Sequence, residues 1–317
     1  MKVVVLGNGP MLLNLIAGLK DCDCDIVGVM RAEKSSSLKS FFKDIINPSK
    51  EYTYIKSSKI KELKSVKANS ESFKKEILRL NADIILVGSW GEKLKKEIID
   101  LPKIGTINVH PALLPKYRGP NPYLQVILHG EKESGVTFHL MDENYDTGAI
   151  LSQYKVPVYE KDTGKELRER IANKAREGVC ELISALDSDI IIPIEQNNSL
   201  ATYYENISRD DLMLDFSNSA EDVSRRIRAL HPWCKSYISH NTHFLVPNPY
   251  CLEIVEYSEN KNYKVGEIVD VDLKSRSISV YCGDGKVLKM SDIKLYGILR
   301  AITRLYMRLR VKIGKVI

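Results

Sequence analysis

Short apolar runs alternate with amphipathic stretches through the first half of the chain. Residues 2–6, built on Val3-Val4-Val5-Leu6, read as a fully buried strand, because a strand covered on both faces is continuously apolar. Gly7-Asn8-Gly9-Pro10 turns the chain, Met11–Leu19 has the spacing of an amphipathic helix, and Asp25–Met30 is a second strand. The Lys- and Ser-rich segment 31–63 reads as a loop with one helix around Leu38–Ile46. Beyond it the pattern predicts a helix over Ser70–Leu80, with Phe73, Ile77 and Leu80 on one face. A buried strand at Asp83–Val87, a short helix at Glu92–Ile99 and a strand at Gly105–Val109 follow. Gly135–Met141 and Ala149–Tyr154 read as further strands, and Lys165–Leu186 as a long amphipathic helix. This order predicts an α/β domain with a Rossmann-like, doubly wound, mostly parallel sheet.

The texture changes after Asp189-Ile190-Ile191-Ile192-Pro193, where Gln196-Asn197-Asn198-Ser199 reads as a polar linker. A new unit starts at Ser208–Leu214, with a helix at Ala220–Leu230. From Lys235 to Leu295 short strands are separated by Pro247-Asn248-Pro249, Lys261-Asn262 and Gly283-Asp284-Gly285, and Val265–Val271 and Ser277–Cys282 are the clearest pair. Evenly spaced short strands predict a small OB-like β-barrel. The expected division is a catalytic domain over 1–190, a linker over 191–205, the barrel domain over 206–297 and a basic amphipathic tail helix over 298–317.

Composition narrows the class. The 317 residues are 44% hydrophobic and 28% charged, which excludes a disordered chain, a collagen-like repeat and a disulfide-dominated miniprotein. No apolar run approaches the roughly 18–20 residues of a membrane span, and the faint signal-like start is broken by the glycine turn. The six cysteines match no zinc spacing, so no metal is expected and the thiols read as reduced and mostly buried in a cytosolic protein. The Gly7-Asn8-Gly9 turn lacks the third glycine of a dinucleotide fingerprint, and Met30-Arg31 stands where an acidic residue would close the second strand.

The chemistry concentrates in Ile107–Pro122. Side chains alternate along a strand, so Asn108 and His110 share one side at its carboxyl end. Pro111, Pro115, Gly119 and Pro120 then enforce an extended loop. Downstream, Asp142-Glu143-Asn144-Tyr145-Asp146-Thr147-Gly148 is a polar turn between two apolar strands. A neutral histidine steadied by a carboxylate can take a proton from a nucleophile, and an asparagine N–H can stabilise an oxyanion. Together they suit acyl transfer to an amine with no Ser or Cys nucleophile. The same residues can equally be a hydrogen-bonded strand-end histidine and an Asx cap.

Asn108-Val109-His110, Leu113-Leu114-Pro115-Lys116-Tyr117-Arg118-Gly119, Gly135-Val136-Thr137 with Met141-Asp142, and Asp146-Thr147-Gly148 together resemble the 10-formyltetrahydrofolate-dependent formyltransferases. The stretch Ala201–Asp215, then Ile227-Arg228-Ala229-Leu230, Pro232-Trp233, Val265–Val269 and Gly283–Gly285, is similar to the C-terminal domain of the methionyl-tRNA branch of that family. The resemblance implies formyl transfer from 10-formyltetrahydrofolate to the methionine amino group of initiator methionyl-tRNA, in translation initiation, by a cytosolic monomer. It implies His110 as general base, Asp146 as the group that orients it, and Asn108 as donor to the forming oxyanion. It places Trp90, Gly91, Ala112, Leu113, Leu114, Pro115 and Asp142 on the folate side, and Lys116, Arg118, Arg300, Arg304 and Arg308 on the acceptor side. Two departures bear on the acceptor. The basic segment Arg31–Lys39 lacks the branch's glycine- and proline-bearing pattern, and Pro111-Ala112 stands where many members have Gly-Ser. An amino sugar carried on a nucleotide is the alternative acceptor.

Other features have plainer readings. His129 is expected at the surface, His139 as a structural strand residue, and His240 and His243 as solvated histidines in a turn. The Lys56–Lys67 run reads as a solvated face. In the tail, Ile298, Ile302, Leu305 and Leu309 form one stripe and Arg300, Arg304 and Arg308 another. Such a helix can dock on the barrel, lie on RNA phosphate or lie on an anionic membrane, and no membrane partner is expected here. The net charge of +6 equals the six basic residues of 300–317, a segment with no acidic residue, so the rest of the chain is formally neutral.

Overall fold

The computed structural model describes residues 1–32, 47–65, 67–240, 243–256, 262–296 and 300–317, the side chains of Arg300, Ala301 and Arg304 excepted. The helix expected around 38–46 and most of the basic segment 31–39 lie outside the described residues. Two compact units are present. One takes in 1–122, 133–157 and 168–205, and the other 123–132, 158–167 and 206–317.

The first unit starts with β1 (Lys2–Gly7), α1 (Gly9–Asp21) and β2 (Asp25–Arg31). Asn8 caps α1 and accepts the Gly9 N–H at 2.8 Å, and Pro10 stands in its first turn, where a missing N–H does no harm. Two helices follow, α2 (Lys50–Ser57) and α3 (Glu71–Leu80). The first was not expected; Ser49 starts it by accepting the Tyr52 N–H at 3.1 Å. α3 buries Phe73 and Ile77, and Ser70 accepts the Phe73 N–H at 3.2 Å. Replacing Ser70 with Ala removes that cap and is expected to lower stability by about 1 kcal/mol, measurable as a shifted urea midpoint at constant m.

Next come β3 (Ile84–Gly88), α4 (Lys96–Ile99), β4 (Gly105–His110), α5 (Pro122–Leu128), β5 (Glu133–Leu140), β6 (Ile150–Pro157) and α6 (Gly164–Asp187). α4 is half the length expected from Glu92. The Glu92 carboxylate accepts from Ala68 N–H and Asn69 Nδ2, and Asn69 accepts the Lys95 N–H, so 92–95 is held as loop. The six strands form one sheet in the order β2-β1-β3-β4-β5-β6. Its first three pairings are parallel and its last two antiparallel. The sheet is therefore mixed, with β4 at the change of sense. A core of Val4, Leu6, Met30, Phe73, Ile77, Ile85 and Val87 packs against it.

The second unit holds α7 (Ala220–Leu230) and two antiparallel sheets among the described residues. The strands are β7 (Ile238–His240), β8 (His243–Val246), β9 (Leu252–Val255), β10 (Ile268–Asp272), β11 (Ser277–Tyr281), β12 (Val287–Met290) and β13 (Lys294–Leu295). They hydrogen-bond as β10-β11-β12-β9 and β13-β8-β7 around Ile238, Leu245, Ile278, Val280 and Leu288. His240 corrects the solvated reading: it is 1% exposed, with Nδ1 2.9 Å from the Tyr306 hydroxyl. His243 is half-buried in β8, while His129 is exposed as expected. The described lysines of 56–67 are exposed, yet Leu63 among them is buried.

The tail helix α8 (Arg300–Arg310) docks differently from the stripe expected. Thr303, Met307 and Val311 are buried, and Thr303 Oγ1 accepts the Leu295 N–H. Ile302, Leu305 and Leu309 are about half exposed, at 49%, 54% and 60%. Of the cysteines, only Cys282 is buried; the other five are half-buried thiols, and none forms a disulfide. No described helix is long and apolar enough to cross a membrane.

Candidate active site

β4 delivers Asn108 and His110 to one side, and β5 runs antiparallel beside it with His139 directly opposite Asn108. The loop after β5 brings Asp146 to the same point, its backbone in the left-handed region at φ +57°. Gly148 fixes how the loop returns. A Cβ there would collide with the Leu140 carbonyl oxygen, so only glycine lets the chain pass.

Asp146 is the hub. Its Oδ1 accepts Asn108 Nδ2 at 3.1 Å and lies 3.4 Å from His110 Nδ1, and its Oδ2 accepts the Gly119 N–H at 2.9 Å. Burial opposes its charge, but the His110 ring and these hydrogen bonds outweigh it and hold the carboxyl well below the usual carboxylate range. His110 is 3% exposed. Its Nε2 lies 2.8 Å from the Tyr117 carbonyl oxygen, an atom that can only accept, so Nε2 donates. Both ring nitrogens thus face acceptors, which favours imidazolium. Burial works against that charge, yet Asp146 and the Tyr117 carbonyl prevail and raise the pKa above its ordinary 6.5.

His139 is a buried strand residue, as expected, and it also reaches the site. It is 2% exposed, with Nε2 3.1 Å from Asn108 Nδ2 and Nδ1 2.8 Å from the Leu140 carbonyl. Asn108 therefore uses its amide nitrogen twice, toward Asp146 and toward His139. The N–H expected to await an oxyanion is already engaged.

The 112–115 loop is shaped from below by Thr137, whose hydroxyl donates to the Ala112 carbonyl at 2.6 Å and accepts the Leu114 N–H. Gln153 Nε2 donates to the Leu114 carbonyl. Of the residues expected on the folate side, Ala112 and Leu114 are buried at 0% and 3%, so they build the loop rather than line a cleft. Leu113 and Pro115 are half-buried, and Leu113 borders a concavity of about 570 Å³ with Gln153, Tyr154, Lys155 and Lys174. Trp90 packs on the core beneath the sheet, and its buried indole N–H has no acceptor among the described residues. Gly91 is exposed, with open space where a Cβ would stand. Asp142 instead holds its own turn, accepting from Asn144 N–H and Thr147 Oγ1.

The acceptor-side residues divide. Lys116 and Arg308 are exposed. The side chains of Arg300 and Arg304 lie outside the described residues. Arg118 corrects its expectation: it is 5% exposed, with Nη2 donating to Gln196 Oε1 at 2.7 Å and Asn198 Oδ1 at 2.8 Å. Gln196 in turn donates from Nε2 to the carbonyls of Asp146 and Gly148. The stretch read as a polar linker is thus tied to the loop that carries Asp146. Tyr117 N–H donates to Thr202 Oγ1, Arg118 N–H to the Thr202 carbonyl and Tyr204 N–H to the Arg118 carbonyl. Gly119 lets this strand approach, because a Cβ there would meet the Tyr204 carbonyl oxygen.

A buried carboxylate–imidazole pair beside an asparagine, at the carboxyl end of a sheet strand, is an arrangement that can move protons during transfer at a carbonyl carbon. The chain belongs to the formyl transferase family: the formyl transferase profile matches residues 1–183 and the C-terminal domain of formyl transferases matches 206–298. It is a formyltransferase. Among its relatives is the methionyl-tRNA formyltransferase of Caldanaerobacter subterraneus subsp. tengcongensis, 32% identical over 301 residues, covering 94% of this chain and 93% of that one. That of Lachnospira eligens is 29% identical over 303 residues, again covering 94% and 93%. The fold is similar to an N-formyltransferase from Helicobacter canadensis solved with folinic acid and dTDP-3-aminofucose, at a TM-score of 0.66 and 19% identity over 92% of this chain and 99% of that one.

Proposed function

We propose that this enzyme moves the formyl group of 10-formyltetrahydrofolate to the methionine amino group of initiator methionyl-tRNA. The observation that carries the chemistry is the buried His110–Asp146 pair at the end of β4. Overall the attacking amine loses a proton and the folate nitrogen gains one. With acceptors facing both its ring nitrogens, a protonated His110 would act first as the acid toward the leaving nitrogen and then take the amine's proton. This would reverse the order expected for a neutral base.

The acceptor assignment rests on relatives named methionyl-tRNA formyltransferase that cover more than nine-tenths of the chain. Residues 1–190 would carry the catalytic domain, and the two sheets of 206–297 would form an OB-like barrel facing RNA, joined by 191–205. Lys116 and α8 would meet phosphate, and Leu113 and Pro115 the folate. The enzyme would work as a cytosolic monomer. An amino sugar on a nucleotide is the competing acceptor. Purified enzyme with 10-formyltetrahydrofolate is expected to formylate charged initiator tRNA and not a dTDP-amino sugar; the opposite preference overturns the assignment.

The tail supplies a second test. Arg308, Arg310 and Lys312 are exposed. Changing all three to Gln is expected to weaken tRNA binding and to reduce the slope of log affinity against log salt by about 3, one per lost phosphate contact. Transfer at saturating tRNA should be unchanged.

A further inference from the structure

Asn108 and His139 face each other across one rung of the β4–β5 ladder, on one side of the sheet. His139 Nδ1 lies 2.8 Å from the Leu140 carbonyl, so Nδ1 carries a hydrogen. With Nδ1 as its donor, the neutral ring presents Nε2 as a lone pair; the Asn108 amide nitrogen donates to it at 3.1 Å, while Asp146 Oδ1 stands 3.7 Å from it, beyond hydrogen-bond reach. The second amide hydrogen goes to Asp146 Oδ1, also at 3.1 Å. Rotated by half a turn, the amide would set its oxygen against a carboxylate and against that lone pair, exchanging two hydrogen bonds for two repulsions. The orientation is therefore locked from both sides. It leaves Asn108 Oδ1 with no hydrogen bond among the described residues.

We propose that Asn108 serves formyl transfer as a hydrogen-bond acceptor for the attacking amine, and that His139 is the positioning residue that imposes this orientation. The inference rests on the formyl-transfer reading above. In the reaction the amine lone pair forms a bond to the formyl carbon while the carbonyl π pair moves to oxygen. On collapse the bond from that carbon to the folate nitrogen breaks, its pair stays on nitrogen, and the proton shed by the amine replaces the one given to that nitrogen. A hydrogen bond from an amine N–H to Asn108 Oδ1 aims the remaining lone pair at the carbon. It also stabilises the positive charge that grows on the amine as the bond forms. Asn108 does not act as the donor to the formyl oxygen, since both its N–H groups stay on Asp146 and His139.

Two measurements test this. In wild-type protein labelled with 15N at histidine, the His139 resonances should show Nδ1 protonated and Nε2 bare under the conditions of the transfer assay. An Nε2-protonated ring, as either the reverse tautomer or imidazolium, overturns the proposal whatever the kinetics show. His139→Phe removes the Nε2 acceptor and is expected to lower kcat for amine formylation about 10- to 100-fold, the usual penalty for losing a supporting hydrogen bond behind a working group. Folate-donor affinity should stay within about twofold. His139→Gln, whose side-chain oxygen can accept the same N–H, should recover most of kcat. Unchanged kcat in the Phe variant, or an equal loss in both variants, overturns the proposal. If wild-type enzyme formylates no amine at all, the functional reading fails instead, and the tautomer measurement still reports the Asn108 orientation.

Discussion

Replacing His110 with Asn lowers formyl transfer about a thousandfold, within the usual range for a positioned proton carrier, while the protein stays folded. The pH profile identifies the mechanism more sharply than the size of the loss. His110 has its pKa raised above 6.5 because Asp146 and the Tyr117 carbonyl together overcome the opposition of burial. An enzyme that starts from protonated His110 loses activity as pH rises through that raised value, so wild type should show a falling limb above pH 6.5. His110→Asn should lack that limb, leaving only the rise caused by the acceptor amine. A wild-type limb that rises where a fall is expected would restore the neutral-base order. Stability follows the same sign. The His110 contribution is complete below the unfolded value of 6.5 and is lost as pH climbs through the folded one. Wild type and variant should therefore converge in urea midpoint at alkaline pH.

Arg118→Met should destabilise the enzyme by about 3 kcal/mol, although Arg118 was expected to touch substrate. Arg118 is 5% exposed, and its guanidinium donates from Nε and Nη2 to Gln196 Oε1, and from Nη2 to Asn198 Oδ1. Methionine fills similar volume but orphans the Gln196 oxygen in a buried place. Gln196 also holds the Asp146 and Gly148 carbonyls, so activity should fall together with stability. Lysine at 118 should rescue little, because an ammonium cannot reproduce the planar fork. Urea titration with a parallel assay of transfer checks both effects. Full stability in Arg118→Met would return the residue to the acceptor side.

Why some of this was legible and some not follows from the range of the forces. The strands of 2–7 and 84–88 and the helices of 9–21, 164–187 and 220–230 announce themselves through continuous or 3.6-residue patterning, which is local. Asn108 and His110 could be paired from alternation alone, and Asp146 from its polar turn and the family resemblance. His139 could not be joined to them. Its strand alternates apolar and polar residues like any half-buried strand, and only the antiparallel register places it opposite Asn108. Arg118 was misread for a similar reason. A positive residue in a loop looks solvated until Gln196, 78 residues later, arrives to accept from it. The tail failed on phase. The apolar stripe was real, but Thr303 and Met307, one of them polar, are the residues that dock.

The stitching of 117–119 to 196–204 also decides where the enzyme can be cut. A fragment ending at residue 190 would discard Gln196, Asn198, Thr202 and Tyr204, and with them the acceptors of the Arg118 guanidinium and half of the short backbone ladder beside Tyr117. Such a fragment would keep Asn108, His110 and Asp146 yet lose the brace behind Asp146. Any fragment meant to keep this brace has to run through Glu205, the last residue of the first compact unit. Dissection at the apparent change of sequence texture is expected to yield an inactive fragment, even though Asn108, His110 and Asp146 would all be retained.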